Sequence, residues 1–172
     1  MENTLDDLDK KILAIVQRDG RITNADLAQQ IHLSPPAAHA RLKRLQERGI
    51  IRGFVALLDQ ERLGYDLMAL IHVTLAQHQR ERVQEFRAAI QTMPQVLECF
   101  HVTGEYDYLL KVVVRNRQEL EQFLVETLTP APGVGRIHTN IVFSQVKTTT
   151  ELQTSNSRHA AAQESETRNA PR

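Results

Sequence analysis

The sequence has a single cysteine, no tryptophan and few other aromatic residues, and it contains no long hydrophobic run. Because Cys99 has no second cysteine to pair with, no disulfide forms within the chain, which is typical of a reducing compartment. No apolar stretch approaches the ~20 residues that a membrane-spanning helix needs. The first residues, MENTLDDLDKK, are acidic and lack the apolar segment of a signal peptide. We therefore predict a cytoplasmic location without a membrane partner.

The chain also lacks a net charge, since 21 basic side chains balance 21 acidic ones. Such a balance argues against general attraction to nucleic acid, but the charges are unevenly distributed. Residues 34–52 contain one acidic residue, Glu47, and five basic ones: Arg41, Lys43, Arg44, Arg48 and Arg52. Phosphate attraction depends on the local field of the contacting surface, so this segment predicts a basic patch with weak non-specific affinity.

The basic residues lie within a pattern of two short helices between residues 23 and 52. Thr23 and Ser34 are predicted to cap the helices through their hydroxyls. Pro35 occupies the first position of the second helix, and Gly49 ends it. Each helix has one apolar stripe, formed by Leu27, Ala28 and Ile31 and by Ala38, Leu42 and Leu45. Two helices joined by a tight turn, the second basic on its exposed side, predict a helix-turn-helix that reads DNA.

Two flanking segments complete a predicted domain over residues 1–58. Upstream, residues 5–20 repeat apolar side chains at helical spacing behind a run of aspartates, which predicts a supporting helix. Downstream, residues 50–59 favour a short β-hairpin that turns near Gly53, the wing of a winged helix-turn-helix, where Arg52 contacts phosphates. The alternative interpretation is a plain three-helix bundle with a solvated basic face.

After a polar linker at residues 59–66, the hydrophobic pattern changes. It contains two amphipathic helices, one that begins at Arg80 and one that surrounds Phe123. It also contains four strands, at residues 67–76, 95–102, 106–116 and 135–147. The order β-α-β-β-α-β is that of a ferredoxin-like sandwich and predicts an α+β fold, with residues 67–150 as the second domain.

The end of the chain has a different composition. From Thr148 onward the apolar periodicity is lost, and Thr, Ser, Ala, Gln and Asn predominate. We predict that residues 151–172 form a disordered tail.

Both helices of the predicted sandwich cover one face of the sheet and leave the other face open. Because the four strands are rich in aliphatic residues, we expect the open face to be partly apolar. A second copy of the chain is expected to cover it, since an apolar sheet face rarely stays exposed. The sequence therefore predicts a homodimer.

Two longer motifs resemble a known family. The segment LSPPAAHARLKRLQERGIIRGF is similar to the recognition helix and wing of the Lrp/AsnC family, and GEYDYLLKV is similar to the signature of its effector domain. The resemblance extends from Leu5 to Lys147. It implies a winged helix-turn-helix followed by a domain often called RAM, in a regulator of amino-acid metabolism genes. Members sense free amino acids, which modulate DNA binding or assembly, and form dimers that assemble into octamers.

The resemblance also implies which residues face DNA. The matching positions are Ser34, Pro36, Ala37, His39, Ala40, Arg41, Lys43, Arg44 and Arg52. Among them, Arg41 and Arg44 are predicted to pair with guanine edges or phosphates, and His39 with either.

A loop in the second domain is implied to hold the amino-acid effector at a contact between subunits. The predicted effector residues are His101, Thr103, Gly104, Glu105, Tyr106, Asp107 and Asn140. Gly104 would let the backbone approach a ligand, and Asp107 would accept from an ammonium group. The alternatives are a plain hairpin turn at Gly104 and a turn-stabilising carboxylate at Asp107. His101 and Asn140 stand where relatives more often carry apolar or aromatic residues, which leaves a polar or basic effector open beside leucine.

Two other classes of function compete with this interpretation. An enzyme with a metal held by His72, Cys99 and His101 is disfavoured, because zinc sites prefer four ligands at set spacing. The sequence shows no nucleophile–base set, phosphate-binding glycine loop or carboxylate pair, so neither catalytic residues nor a cofactor are predicted. The second rival is an architectural DNA-binding protein whose second domain only oligomerises. It would bind DNA identically with and without amino acids.

Overall fold

The chain forms two compact units in the computed structural model, which describes residues 5–154. The N-terminal unit contains residues 5–57 together with 147–154. The C-terminal unit contains residues 58–146. The end of the described chain therefore belongs with its beginning, which the sequence pattern did not predict.

The N-terminal unit consists of three helices, α1 (Asp7–Arg18), α2 (Asn24–Ile31) and α3 (Pro35–Glu47). Gly49 follows α3 with a φ of 69°, the left-handed conformation that suits the predicted glycine stop. Each helix buries one apolar stripe, and together these form a core of Ile12, Leu13, Val16, Leu27, Ala28, Ile31, Ala38 and Leu45. The predicted stripes of α2 and α3 are confirmed, with Leu42 half-buried beside them.

The two predicted hydroxyl caps have different outcomes. The Thr23 hydroxyl accepts from the backbone N–H of Asp26 at 3.1 Å, which confirms the cap of α2. Ser34 has the extended backbone of a cap residue, but its hydroxyl makes no capping hydrogen bond, so this prediction is wrong. Pro35 and Pro36 carry no N–H, and one of the two donors that an N-cap hydroxyl usually accepts from is therefore missing.

The segment after α3 also differs from its prediction. Residues 51–59 form neither strand nor helix, and the hairpin predicted there is wrong for this chain. A strand needs a ladder partner, and all strands within residues 5–154 belong to the sheet of the C-terminal unit. Val55, Leu57 and Leu58 are consequently exposed.

The end of the described chain is ordered against α1. Leu152 exchanges two hydrogen bonds with the Gln17 side chain, at 2.7 and 3.0 Å, and Thr154 donates to the carbonyl of Lys10. The prediction of a disordered tail is therefore wrong for residues 151–154, because the Gln17 side chain satisfies the backbone groups of Leu152 and the Thr154 hydroxyl donates to the backbone of α1. The rest of the predicted tail, residues 155–172, lies outside the described residues.

The C-terminal unit has the predicted β-α-β-β-α-β order. Its elements are β1 (Leu67–Leu75), α4 (Arg80–Gln91), β2 (Val96–His101), β3 (Tyr108–Val114), α5 (Arg117–Gln122) with a π-helical continuation (Phe123–Leu128), and β4 (Val134–Ile141). The sheet order is β2-β3-β1-β4, with every neighbouring pair antiparallel. The last strand ends six residues before the predicted boundary at Lys147. The predicted α+β, ferredoxin-like fold is confirmed.

The strand register divides the sheet into two faces. The helices cover the face that carries Ala69, Ile71, Val73, Leu110 and Val112, all fully buried. The opposite face carries Met68, Leu70, His72, Phe100, Leu109, Lys111, His138 and Asn140. This open face is partly apolar, as the sequence predicted.

Candidate nucleic-acid interface and effector loop

The side of α3 that faces away from the core carries small and polar side chains. Ser34 precedes the helix and Arg52 follows it, and both are exposed. The exposed positions within the helix that were predicted to face DNA are Pro36, His39, Ala40, Lys43 and Arg44. Ala37 and Arg41 are half-buried. The five exposed positions within the helix lie on one side of α3 because of their spacing, and we call this side the α3 surface.

Arg41 and Arg44 are bound to the protein's own carboxylates. Arg41 Nη1 donates to Asp6 at 2.6 Å and to Asp9 at 2.9 Å. Arg44 Nη2 lies 3.2 Å from both oxygens of Asp9, whose side chain is 2% exposed. Both arginines are therefore bound within the protein, Arg41 by two carboxylates, and their predicted contact with DNA stays a prediction. Arg44 is half exposed and keeps N–H groups that can reach a phosphate.

Arg41 and Arg44 bind Asp9 because a buried carboxylate needs a charged partner. Asp9 lies on α1 and faces α3, and the two guanidinium groups supply the donors that water would otherwise provide. Hydrogen bonds from the Asp9 amide and from Arg41 lower the pKa of Asp6. Hydrogen bonds to Asp6 and Asp9 raise the pKa of Arg41. Asp6 and Asp9, at the start of α1, therefore join α1 to α3, besides interacting favourably with the dipole of α1.

The other groups on α3 also have partners. Lys43 pairs with Glu47 one turn later, at 3.5 Å. The side-chain amide nitrogen of Asn24, at the start of α2, lies 3.2 Å from Nδ1 of His39. Asn24 was not predicted as a site residue, and only the folded chain brings it to His39, because the two are 15 positions apart.

The predicted effector loop is a tight turn between β2 and β3. Gly104 has a φ of 116°, a conformation that L residues rarely adopt, whereas a Cβ at this position would meet nothing within 4 Å. Backbone conformation, not crowding, therefore requires the glycine. The amide of Val102 donates to the carbonyl of Asp107 at 2.9 Å and closes the turn.

The Asp107 carboxylate holds this turn to neighbouring segments. It accepts from the Leu75 amide at 2.7 Å and contacts His78 Nε2 at 2.9 Å. Burial raises the pKa of Asp107, but the hydrogen bonds from Leu75 and His78 outweigh it, so the pKa lies below its usual value. These contacts support the turn-stabilising alternative for Asp107. They leave its remaining lone pairs for a further donor.

The sheet separates the other predicted effector residues. His101 pairs in register with Tyr108 on the helix-covered face, and their rings stack at 5.0 Å. Asn140 pairs with Leu70 on the open face, at the opposite edge of the sheet. His101 and Asn140 therefore lie on opposite faces of the sheet, because alternate residues of a strand point to opposite faces. Their role in binding an effector stays a prediction.

Tyr106 belongs with the open face instead. Its ring lies 4.5 Å from that of His72 and 6.2 Å from that of His138. Glu105 contacts Arg136 at 3.3 Å. His72 and His138 face each other because β1 and β4 pair at these residues. Cross-strand pairing depends on register, and a sequence pattern does not reveal register across distant strands.

The alternative metal set is also divided between the faces. Cys99 and His101 lie on the helix-covered side of β2, whereas His72 lies on the open face. Burial raises the pKa of the Cys99 thiol, which disfavours the thiolate that a metal binds. Within the described part of the chain, no three histidine, cysteine or carboxylate side chains group to hold a metal ion.

Comparisons with known proteins define the class of this chain. Residues 5–52 match the family described as winged helix-turn-helix DNA-binding, and residues 68–152 match the Lrp/AsnC ligand binding domain. The chain is thus a DNA-binding protein with a ligand-binding domain. In the part that the structure describes, no helix is long and apolar enough to cross a bilayer.

Individual relatives identify the family. The leucine-responsive regulatory protein of Haemophilus influenzae is 40% identical over 148 residues, which cover 86% of this chain and 89% of that protein. Transcriptional regulator AzlB of Bacillus subtilis is 38% identical, with 86% and 94% covered. The crystal structure of the Neisseria meningitidis regulator NMB0573 with L-Met has a TM-score of 0.82 at 35% identity, covering 91% of this chain and 99% of that one. The chain belongs to the Lrp/AsnC family of transcriptional regulators.

Proposed function

We propose that this chain regulates amino-acid metabolism genes by binding specific duplex sequences through the α3 surface, under the control of a free amino acid. The observation that supports this most is the α3 surface itself. It exposes His39, Ala40 and Lys43 while the helix is fixed to α1 through Asp9. A rigid helix with small and donor side chains on its free side suits insertion into a major groove.

We propose different roles for the basic residues, and their contacts support this division. Lys43 and Arg52 are exposed and suit phosphate contacts, and Arg44 uses the N–H groups that Asp9 does not occupy. Arg41 positions α3 and makes no base contact in this proposal. Ser34, Pro36 and Ala37 lie at the start of α3, where close approach of the backbone to DNA requires small side chains.

The effector site is proposed at the turn of residues 103–107, at a contact between subunits. Gly104 leaves open space beside the backbone, and Asp107 keeps lone pairs for an ammonium group. The L-Met complex of the Neisseria meningitidis relative supports an amino acid as the ligand class. The Arg136–Glu105 pair adds both charge signs to this region. The ring of Tyr106 lies over the Arg136 guanidinium, at 5.9 Å.

A homodimer through the open sheet face is proposed as the basic assembly, with octamers formed from dimers in a cytoplasmic protein. On this face Phe100 is exposed, and Met68, Leu70 and Leu109 are half-buried among polar side chains. Sheet packing between two copies removes this apolar surface from water. The bound amino acid then shifts the equilibrium among assemblies and so changes the spacing of paired α3 helices on DNA.

The test uses the full chain with each of the twenty L-amino acids. We expect at least one to raise the melting temperature, to change the mass measured by light scattering and to change the affinity for duplexes selected from a random library. Asp107→Asn is expected to weaken these responses, and Glu121→Gln, at an exposed position on α5, to leave them unchanged. Identical DNA binding with every amino acid would contradict effector control and favour the architectural alternative.

The assigned roles on α3 are tested separately. Lys43→Ala and Arg52→Ala are expected to weaken binding to all duplexes alike and to reduce its salt dependence. Arg41→Ala is expected to act mainly through stability of the N-terminal unit. A selective loss of one base preference in Arg41→Ala, with unchanged stability, would contradict its positioning role.

A further inference from the structure

Asn24 and His39 form a contact between the two helices of the helix-turn-helix. The amide nitrogen of Asn24 lies 3.2 Å from Nδ1 of His39, and both residues are exposed. An amide nitrogen only donates, so Nδ1 accepts and carries no proton. In the neutral imidazole the proton is then on Nε2.

We propose that Asn24 holds His39 as an Nε2–H donor and that His39 in this form selects guanine at one base pair of each half-site. This inference rests on the proposed function. His39 is the fifth residue of α3, in the half of a recognition helix that contacts base edges. Guanine presents two acceptors, N7 and O6, in the major groove. Nε2 of His39 has no hydrogen-bond partner within residues 5–154.

The neighbouring donors are less suited to this role. Arg41 and Arg44 are bound to Asp9, and Lys43 is paired with Glu47. His39 is held by a neutral amide, so it contacts DNA without breaking an ion pair. Its short, two-torsion side chain also loses less conformational freedom on binding than a lysine or arginine side chain. His39 is therefore the specificity-determining residue, and Asn24 is a positioning residue.

The test selects duplexes from a random library at pH 8, where histidine side chains are mostly neutral. The wild-type chain is expected to enrich guanine at one position per half-site, by about 3- to 10-fold over other bases. His39→Ala is expected to lose this preference and to keep the others. Asn24→Ala is expected to reduce it at least about twofold, because either ring nitrogen can then carry the proton.

Asn24→Asp gives a sharper readout. A carboxylate only accepts, so Nδ1 becomes the donor and Nε2 the acceptor. The preference at that position is then expected to move towards cytosine or adenine, whose exocyclic amines donate. Ala25→Asp is the matched control, since it adds the same charge at the neighbouring exposed position. It should weaken all sequences alike through repulsion of phosphates.

The protonated ring nitrogen is measured independently by ¹⁵N NMR of the free protein, with the His39 signal assigned by comparison with His39→Ala. We expect Nε2–H in the wild type and Nδ1–H in Asn24→Asp. An Nδ1–H ring in the wild type would overturn the role of Asn24, as would unchanged base preferences in both Asn24 variants. A uniform loss of affinity in His39→Ala would show a phosphate contact and overturn base selection. If the wild type enriches no sequence, the proposed function itself fails, and this inference fails with it.

Discussion

The two units of the chain use charged residues in different ways. The N-terminal unit has a core of eight buried apolar residues without a ring among them, and it adds a buried aspartate bound by two arginines. The core cluster of the C-terminal unit contains fifteen buried residues, among them Phe86, Tyr108 and Phe123, and the unit has ion pairs at the surface and in loops. The smaller core therefore depends more on its ion pairs. Arg41 and Arg44, which the sequence predicted to face DNA, also join α3 to α1 through the buried aspartate.

The largest effect is expected from Asp9→Ala. The substitution removes the buried carboxylate that Arg41 and Arg44 both bind. Arg44 is half exposed, so its guanidinium is hydrated again by solvent. We expect the free energy of unfolding of the N-terminal unit to fall by about 2–4 kcal/mol. Denaturant unfolding followed by hydrogen exchange measures this for each unit.

The matched control for Asp9 is Asp7→Ala. Asp7 is almost fully exposed and pairs with Lys10 at the surface, so its removal should change stability by less than about 0.5 kcal/mol. Equal losses in the two variants would mean that burial of Asp9 does not decide the effect.

The next effect concerns Asp107 in the C-terminal unit. Its pKa is lowered in the folded chain, so its ionised form stabilises the fold above the unfolded pKa, and this contribution is lost as pH falls through the folded value. Asp107→Asn is expected to lose about 1–3 kcal/mol at neutral pH, through its bonds to Leu75 and His78. Its stability should also vary less with pH below about 4. Urea unfolding of the wild type and of Asp107→Asn between pH 2 and 7 measures this difference. Stabilities that depend on pH in parallel in the two proteins would contradict the contribution of ionised Asp107.

A smaller effect is expected when the chain ends after Val146. The truncated protein loses the hydrogen bonds of Leu152 and Thr154 to α1, and the N-terminal unit should lose about 0.5–1.5 kcal/mol. A chain that ends after Thr154 keeps these contacts and should match the full chain. Hydrogen exchange at Gln17 and its neighbours distinguishes the two truncations.

The smallest effect is expected at His32, which ends α2 in a left-handed conformation with a φ of 57°. His32→Gly removes the Cβ clash and should raise the stability of the N-terminal unit by about 0.5–1 kcal/mol. Lys43→Gly, inside α3, should lower it by a similar amount. Thermal unfolding of both variants gives the comparison, and a loss in His32→Gly would show that the histidine ring has a stabilising contact.

How far the sequence predicted each unit follows from the range of the interactions involved. The helices and their stripes, the cap at Thr23 and the order of helices and strands along the chain were predicted because residues a few positions apart determine them. The cap at Ser34 was predicted wrongly because Pro35 and Pro36 change the local donors. The hairpin after α3 was predicted wrongly because a strand requires a partner that local pattern cannot supply.

The candidate sites show the same limit. The α3 surface was predicted in outline, but the binding of Arg41 by Asp9 joins residues 32 positions apart. The loop proposed to bind the effector was predicted from its motif, whereas strand register places His101 and Asn140 on opposite faces of the sheet. His78 and Asn24 were not predicted as site residues, because no periodicity marks them.

The amino-acid sequence by itself determined the two-part fold and the family, since apolar spacing, helix ends and short motifs act over a few residues. Only the tertiary structure decided which charges are available to a ligand and which polar groups share a surface. The reason is that a charge binds its nearest partner in space. That partner is brought close by the packing of helices or by strand register, however far away it lies along the chain.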